Sequence, residues 1–255
     1  MKKVMVMIVA ASLAATSSFA ANLASDNGGN YSGGWTNNSN GGSGFSAWSI
    51  TANNGTGFAG AFIGDPASAG ISGLSSTSFG QFASPQLSGA TVDAGRGFTG
   101  GALAVGQTFS FDWGVNWDSD GAGNKGWNLY SGGIGGTQLI NVNMGGSAAI
   151  TIDDGGGAAT LFSNYGTAAM TINIEQLATG LRIYATGRDG IETYDNTFIG
   201  VSGVDSFKFY SSELGTGDNR QQYFNNLAVV PEPSTIVLGV VGVLGLAIAR
   251  RRAAK

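Results

Sequence analysis

Residues 107–113 read QTFSFDW, and their alternation sets the period of the chain. Phe109, Phe111 and Trp113 fall on one face, Thr108, Ser110 and Asp112 on the other. A period of two with one apolar face is the pattern of a half-buried antiparallel strand. The same pattern recurs downstream. Residues 126–144, GWNLYSGGIGGTQLINVNM, read as two strands about a glycine-rich turn. Residues 147–164, SAAITIDDGGGAATLFSN, repeat that arrangement around Asp153-Asp154-Gly155. In residues 170–187, Met170, Ile172 and Ile174 share one face, and Leu181, Ile183 and Ala185 another. VDSFKFY (204–210) and YFNNLAV (223–229) supply the last strands.

Upstream, FSAWSI (45–50) and GFAGAFIG (57–64) read as short strands, and Asn53-Asn54-Gly55 between them has the chemistry of a hairpin turn. Residues 65–89 carry Pro66 and Pro85 and read as a looser segment. Residues 21–44 are rich in Gly and Asn, poor in aliphatic side chains, and expected to be loosely ordered apart from Trp35. No long amphipathic helix interrupts the series. Short strands joined by polar turns predict an all-β fold, an antiparallel two-sheet sandwich of jelly-roll type, over residues 45–230.

Composition agrees with this and removes several functions. Between residues 21 and 230 lie 41 of the 44 glycines, without a Gly-X-Y period, so the excess belongs to turns rather than to collagen. That region holds six basic against fifteen acidic residues, a net charge of −9, which excludes a phosphate-binding basic face and therefore nucleic acid as a partner. Histidine and cysteine are absent, which removes Ser-His and Cys-His catalysis and every His- or Cys-ligated metal site. GRGFTG (95–100) matches a dinucleotide-binding pattern in letters only, since it leads into a strand and not a helix.

The two ends of the chain are addresses. Lys2 and Lys3 precede an apolar run and then Ser18-Phe19-Ala20, the layout of a secretory signal peptide over residues 1–20, cut by signal peptidase. The uncharged segment 234–249 spans roughly 24 Å as helix, a short membrane span that flanking arginines can extend by snorkelling. Pro231 and Pro233 hold Glu232 in an extended peptide outside that helix.

Pro231-Glu232-Pro233-Ser234, the short apolar helix and Arg250-Arg251-Arg252 together resemble the PEP-CTERM sorting signal of exported bacterial proteins, here residues 231–255. The resemblance implies recognition and cleavage by an exosortase, a transient anchor in the inner membrane through residues 234–249, and a destination at the cell surface or in the exopolysaccharide of a Gram-negative biofilm.

Candidate sites inside the domain are few. In NWDSDGAGN (116–124), Asn116, Asp118, Asp120 and Asn124 space oxygen ligands as a calcium loop would, though Trp127 stands where an EF-hand has its bidentate Glu. The same residues also make an ordinary Asp/Gly turn. Trp117 and Trp127 beside that loop are candidate stacking rings for a glycan, and core packing is the alternative for both. The expectation is a non-enzymatic surface or matrix protein with a structural or adhesive role. A carbohydrate-binding module is the alternative, and an enzyme using paired carboxylates on polysaccharide a second one.

Overall fold

The computed structural model describes residues 22–116, 123–187 and 190–231, and in them the chain is all-β. Fifteen strands follow in order: β1 Ala24–Asp26, β2 Ser49–Asn53, β3 Phe58–Gly64, β4 Ser78–Ser84, β5 Thr91–Gly97, β6 Thr108–Val115, β7 Asn124–Ser131, β8 Thr137–Met144, β9 Ile150–Asp153, β10 Ala159–Phe162, β11 Met170–Gln176, β12 Gly180–Thr186, β13 Thr193–Ile199, β14 Ser206–Ser212 and β15 Gln222–Val230. An eight-stranded sheet runs β13-β12-β11-β6-β15-β4-β3, with β1 joined to β15. A seven-stranded sheet runs β10-β9-β8-β7-β14-β5-β2. Every named pairing is antiparallel, and the chain crosses between the sheets repeatedly, as in a jelly roll.

The opening alternation does what its period requires. Phe109, Phe111 and Trp113 are buried on the inner face of β6, while Thr108, Ser110 and Asp112 face outward. Opposite them, Phe207 and Phe209 point inward from β14; Phe109 stacks on Phe207 at 4.6 Å and Phe209 on Phe224 of β15 at 3.6 Å. Between the sheets one polar cluster is closed on itself. Trp113 Nε1 donates to Gln222 Oε1 at 2.9 Å, and Gln222 Nε2 donates to Gln81 Oε1 at 2.7 Å and to Ser211 Oγ at 2.9 Å. Paired in this way, buried amides tie β4, β6, β14 and β15 together at little cost.

Three features differ from the sequence reading. Residues 21–44 are not loose where described. β1 pairs with β15, and Tyr31, Trp35, Phe45 and Trp48 lie buried among Phe79, Phe224 and Phe207. Low aliphatic content misleads here because aromatic rings, Tyr31 and Trp35 within the segment and Phe45 and Trp48 just after it, supply the apolar area. Asp26 and Arg96, both wholly buried, close an ion pair that Tyr31 and Asn40 also join, with the guanidinium over the rings of Phe45 and Trp48.

Asn53-Asn54-Gly55 does not close a hairpin. β2 pairs with β5 in one sheet and β3 with β4 in the other, so the turn carries the chain across the sandwich edge. Its local chemistry is as expected: Asn53 Oδ1 accepts from Gly55 N at 3.0 Å, and Gly55 has a φ of 54°. The segment 65–89 contains β4, whose glycine and polar residues hid an inward-facing Phe79, Gln81 and Ala83.

Candidate functional site

β15 positions the start of the tail. Its first half, Gln222–Phe224, pairs with β4, and its second half, Leu227–Val229, pairs with β1. A register shift between Asn225 and Ala228, with Asn226 at a φ of 54°, separates the halves. Because β1 is antiparallel to β15, Leu23 N donates to Val229 O at 2.8 Å just before Pro231. Leu23, at the start of the described residues, and Val229, near the end of β15, therefore lie side by side. Of the sorting residues Pro231 is described; Glu232, Pro233, Ser234, Arg250, Arg251 and Arg252 lie outside the described residues, as do residues 1–20. Among the described residues no helix is long and apolar enough to cross a membrane, and segment 234–249 is not among them.

The candidate calcium loop is described only at its ends. Asn116 Nδ2 donates to Ala69 O at 2.6 Å, and Asn124 opens β7; Trp117, Asp118 and Asp120 lie outside the described residues. Trp127 corrects the expectation of an exposed ring. It is 1% exposed and meets Phe111 edge-on at 5.4 Å. The register of β7, with Trp127 opposite Phe209 and Val142, turns it inward, and its sequence neighbours Gly126 and Asn128 face out.

Those outward positions form the feature that sequence reading missed. Across β5, β14, β7 and β8 the outer face of the seven-stranded sheet carries a shallow groove of about 450 Å³, lined by Asp93, Lys208, Tyr210, Asn128, Asn141 and Asn143 among others. Asn128 and Asn141 are direct cross-strand partners. Asn141 Nδ2 donates to Asn128 Oδ1 at 2.6 Å and to Tyr210 Oη at 3.2 Å. Tyr210 Oη in turn lies 3.0 Å from Val142 O and 2.9 Å from Asn143 Oδ1. Burial pushes the Tyr210 phenol up to about 12, so it stays a neutral donor.

At the groove's margin Lys208 Nζ pairs with Asp93 Oδ2 at 3.0 Å. Burial works against that ammonium, but the Asp93 charge and hydrogen bond, with Tyr130 beside it, raise its pKa overall. Gly126 makes the floor possible, since a Cβ there would overlap the Val142 carbonyl and come within 3.0 Å of Tyr210 Oη. The alternation Asn141-Val142-Asn143 was visible in the sequence. That β14 would insert between β5 and β7, placing Lys208 and Tyr210 beside these amides, was not.

Several carboxylates elsewhere among the described residues are committed to the fold. Asp112 accepts from Thr171 and Asn226, Glu175 and Asp195 hold Arg182, and Asp205 accepts from Gly132 N and Gly133 N. Among the described residues no three of Asp, Glu, His and Cys gather as a metal site would require.

A family model described as the PEP-CTERM protein-sorting motif matches residues 229–252. No curated protein matches the chain. Solved structures similar to it include a sialidase, at a TM-score of 0.47 and 9% identity over 72% of this chain and 17% of that one. Others are a cellulose induced protein, Cip1, at 0.44 and 12% over 72% and 90%, and the receptor binding domain of botulinum neurotoxin D, at 0.39 and 9% over 77% and 48%. The chain thus spans about a sixth of the sialidase it resembles. With Pro231 leaving the last strand directly and the sorting model matching from Val229 onward, the chain carries at residues 229–252 a PEP-CTERM protein-sorting motif, and that motif implies export through exosortase processing.

Proposed function

We propose that this protein is a non-enzymatic β-sandwich displayed at the cell surface or in the extracellular polymer of a Gram-negative bacterium, with a structural or adhesive role. The observation that carries the reading is the direct passage from β15 into the sorting motif: the passenger is the sandwich itself, presented where the tail is processed. Its signal peptide is removed by signal peptidase, segment 234–249 holds it transiently in the inner membrane, and exosortase acts near Pro231-Glu232-Pro233. The commitment of Asp112, Glu175, Asp195 and Asp205 to protein donors supports a non-enzymatic role, because a glycosidase keeps two carboxyls facing a cleft.

Fractionation with C-terminal mass spectrometry tests this. The mature protein is expected in the surface or polymer fraction without Arg250–Lys255. Recovery from the cytoplasm with Met1–Ala20 intact, or release of sugar from a polysaccharide by the purified protein, overturns it. A second reading, carbohydrate binding, is favoured by the amide-lined groove and not by Trp127, which is in the core.

A further inference from the structure

We propose that the groove on the outer face of the seven-stranded sheet binds a neutral glycan through the amides of Asn128, Asn141 and Asn143. The inference rests on the cell-surface reading above and names the ligand class and the residues. Asn128 is 5% exposed and its Oδ1 accepts from Asn141, yet among the described residues its Nδ2 has no acceptor. Asn128 lines the groove, so this donor is open to water and to any ligand that displaces it. Asn141 Oδ1 and Asn143 Nδ2 are also left over from the internal network, since Asn141 spends its Nδ2 on Asn128 and Tyr210 and Asn143 spends its Oδ1 on Tyr210.

The open groups therefore run donor, acceptor, donor over two adjacent strands. Asn128 and Asn141 are opposite one another, and Asn143 is the next residue on the same face of β8. Vicinal hydroxyls, each both donor and acceptor, answer such an array at the span of a sugar ring. The array is held before any ligand arrives, because Tyr210 is fixed over Gly126 and in turn fixes Asn141 and Asn143.

Charge selects among glycans. Lys208 and Asp93 neutralise one another at the margin, so neither an anionic nor a cationic ligand finds an unpaired counter-charge there. The net charge of −9 on residues 21–230 repels polyanions further. Tyr210, the aromatic ring among the lining residues, is half-buried and tied into the amide network by its hydroxyl, so hydrogen bonds carry the recognition. Grip by hydrogen bonds alone is weak per sugar and gains on a polymer, where neighbouring repeats rebind. A peptide is disfavoured because the groove lies on a sheet face, where no strand edge is free to accept it.

The test is affinity electrophoresis of the full chain in a non-glycosidic detergent, through gels containing dextran, galactomannan, xyloglucan, alginate or casein. Retardation by at least one of the three neutral polysaccharides and by neither alginate nor casein is expected. Asn143→Ala is expected to weaken it roughly tenfold at an unchanged melting temperature, Asn128→Asp to weaken it similarly with a lower melting temperature because it places a charge at a nearly buried position, and Asn173→Ala on the other sheet to leave it unchanged. No retardation by any neutral polysaccharide, retardation by alginate or casein, or groove variants that bind like the parent overturns the proposal. Should Asn128→Asp fail to fold, Asn143→Ala decides alone. Fractionation of the processed protein judges the surface reading separately, so either can fail without the other.

Discussion

Two buried tryptophans that look alike in the sequence differ in what they give the fold. Trp113 Nε1 is paired with Gln222 Oε1, whereas Trp127 Nε1 is buried without a partner. Trp113→Phe strands a buried acceptor, while Trp127→Phe removes a donor that was already stranded. Chemical denaturation is therefore expected to find Trp113→Phe the more costly by roughly 1–3 kcal/mol. Asp26 is the other residue of consequence. Without it Arg96 keeps a buried charge whose pKa burial already pulls down, against the opposing help of Tyr31 and Asp26. Asp26→Ala is expected to lower stability by about 3–5 kcal/mol, read from the urea midpoint.

At the scale of elements, the tail and the 116–124 loop each have a measurable property. Replacing Pro231-Glu232-Pro233 with alanines removes both prolines but keeps segment 234–249 and the arginines, and alanines favour helix where prolines oppose it. The expected result is a membrane-attached, unprocessed protein, with Arg250–Lys255 recovered by mass spectrometry from the mutant and not from the parent. Recovery from both identifies a permanent anchor. If Asn116, Asp118, Asp120 and Asn124 bind calcium, the melting temperature rises in millimolar calcium relative to EDTA, because a ligand bound by the native state alone stabilises it. Coincident melting curves assign the loop to an ordinary turn.

For the whole molecule, the titration behaviour follows from composition and burial. No histidine titrates near neutrality, so the melting temperature is expected to be flat from about pH 6 to 9. Burial raises Tyr210 to about 12 and raises Tyr31, Tyr194 and Tyr223 as well, and Lys208 is raised overall. For each, the unfolded chain loses its proton before the folded one. Their contribution is complete below about pH 10 and is lost as pH climbs toward 12. In acid the sign reverses. The Arg182 hydrogen bond depresses Asp195, whose contribution disappears as pH falls below about 4. A thermal melt series from pH 3 to 12 checks both limbs.

Period and composition are properties of neighbouring residues, and they were legible without a fold. Phe109, Phe111 and Trp113 share a face because a strand repeats every two residues, and the Pro-Glu-Pro motif, apolar run and arginines of 231–252 need only their order to be read. What local pattern could not carry is partnership across the chain. Asp26 reaches Arg96, β1 and β4 share one side of β15, and β14 inserts between strands far earlier in sequence. The groove is the clearest case. Asn128, Asn141, Lys208 and Asp93 come from four strands, so their meeting depends on sheet order and register, which the alternation of any one strand leaves undetermined. Trp127 makes the same point inside the fold. Its neighbours in sequence are polar, but its neighbours in space are Phe111 and Phe209, because the register of β7 against β14 decides which face it takes.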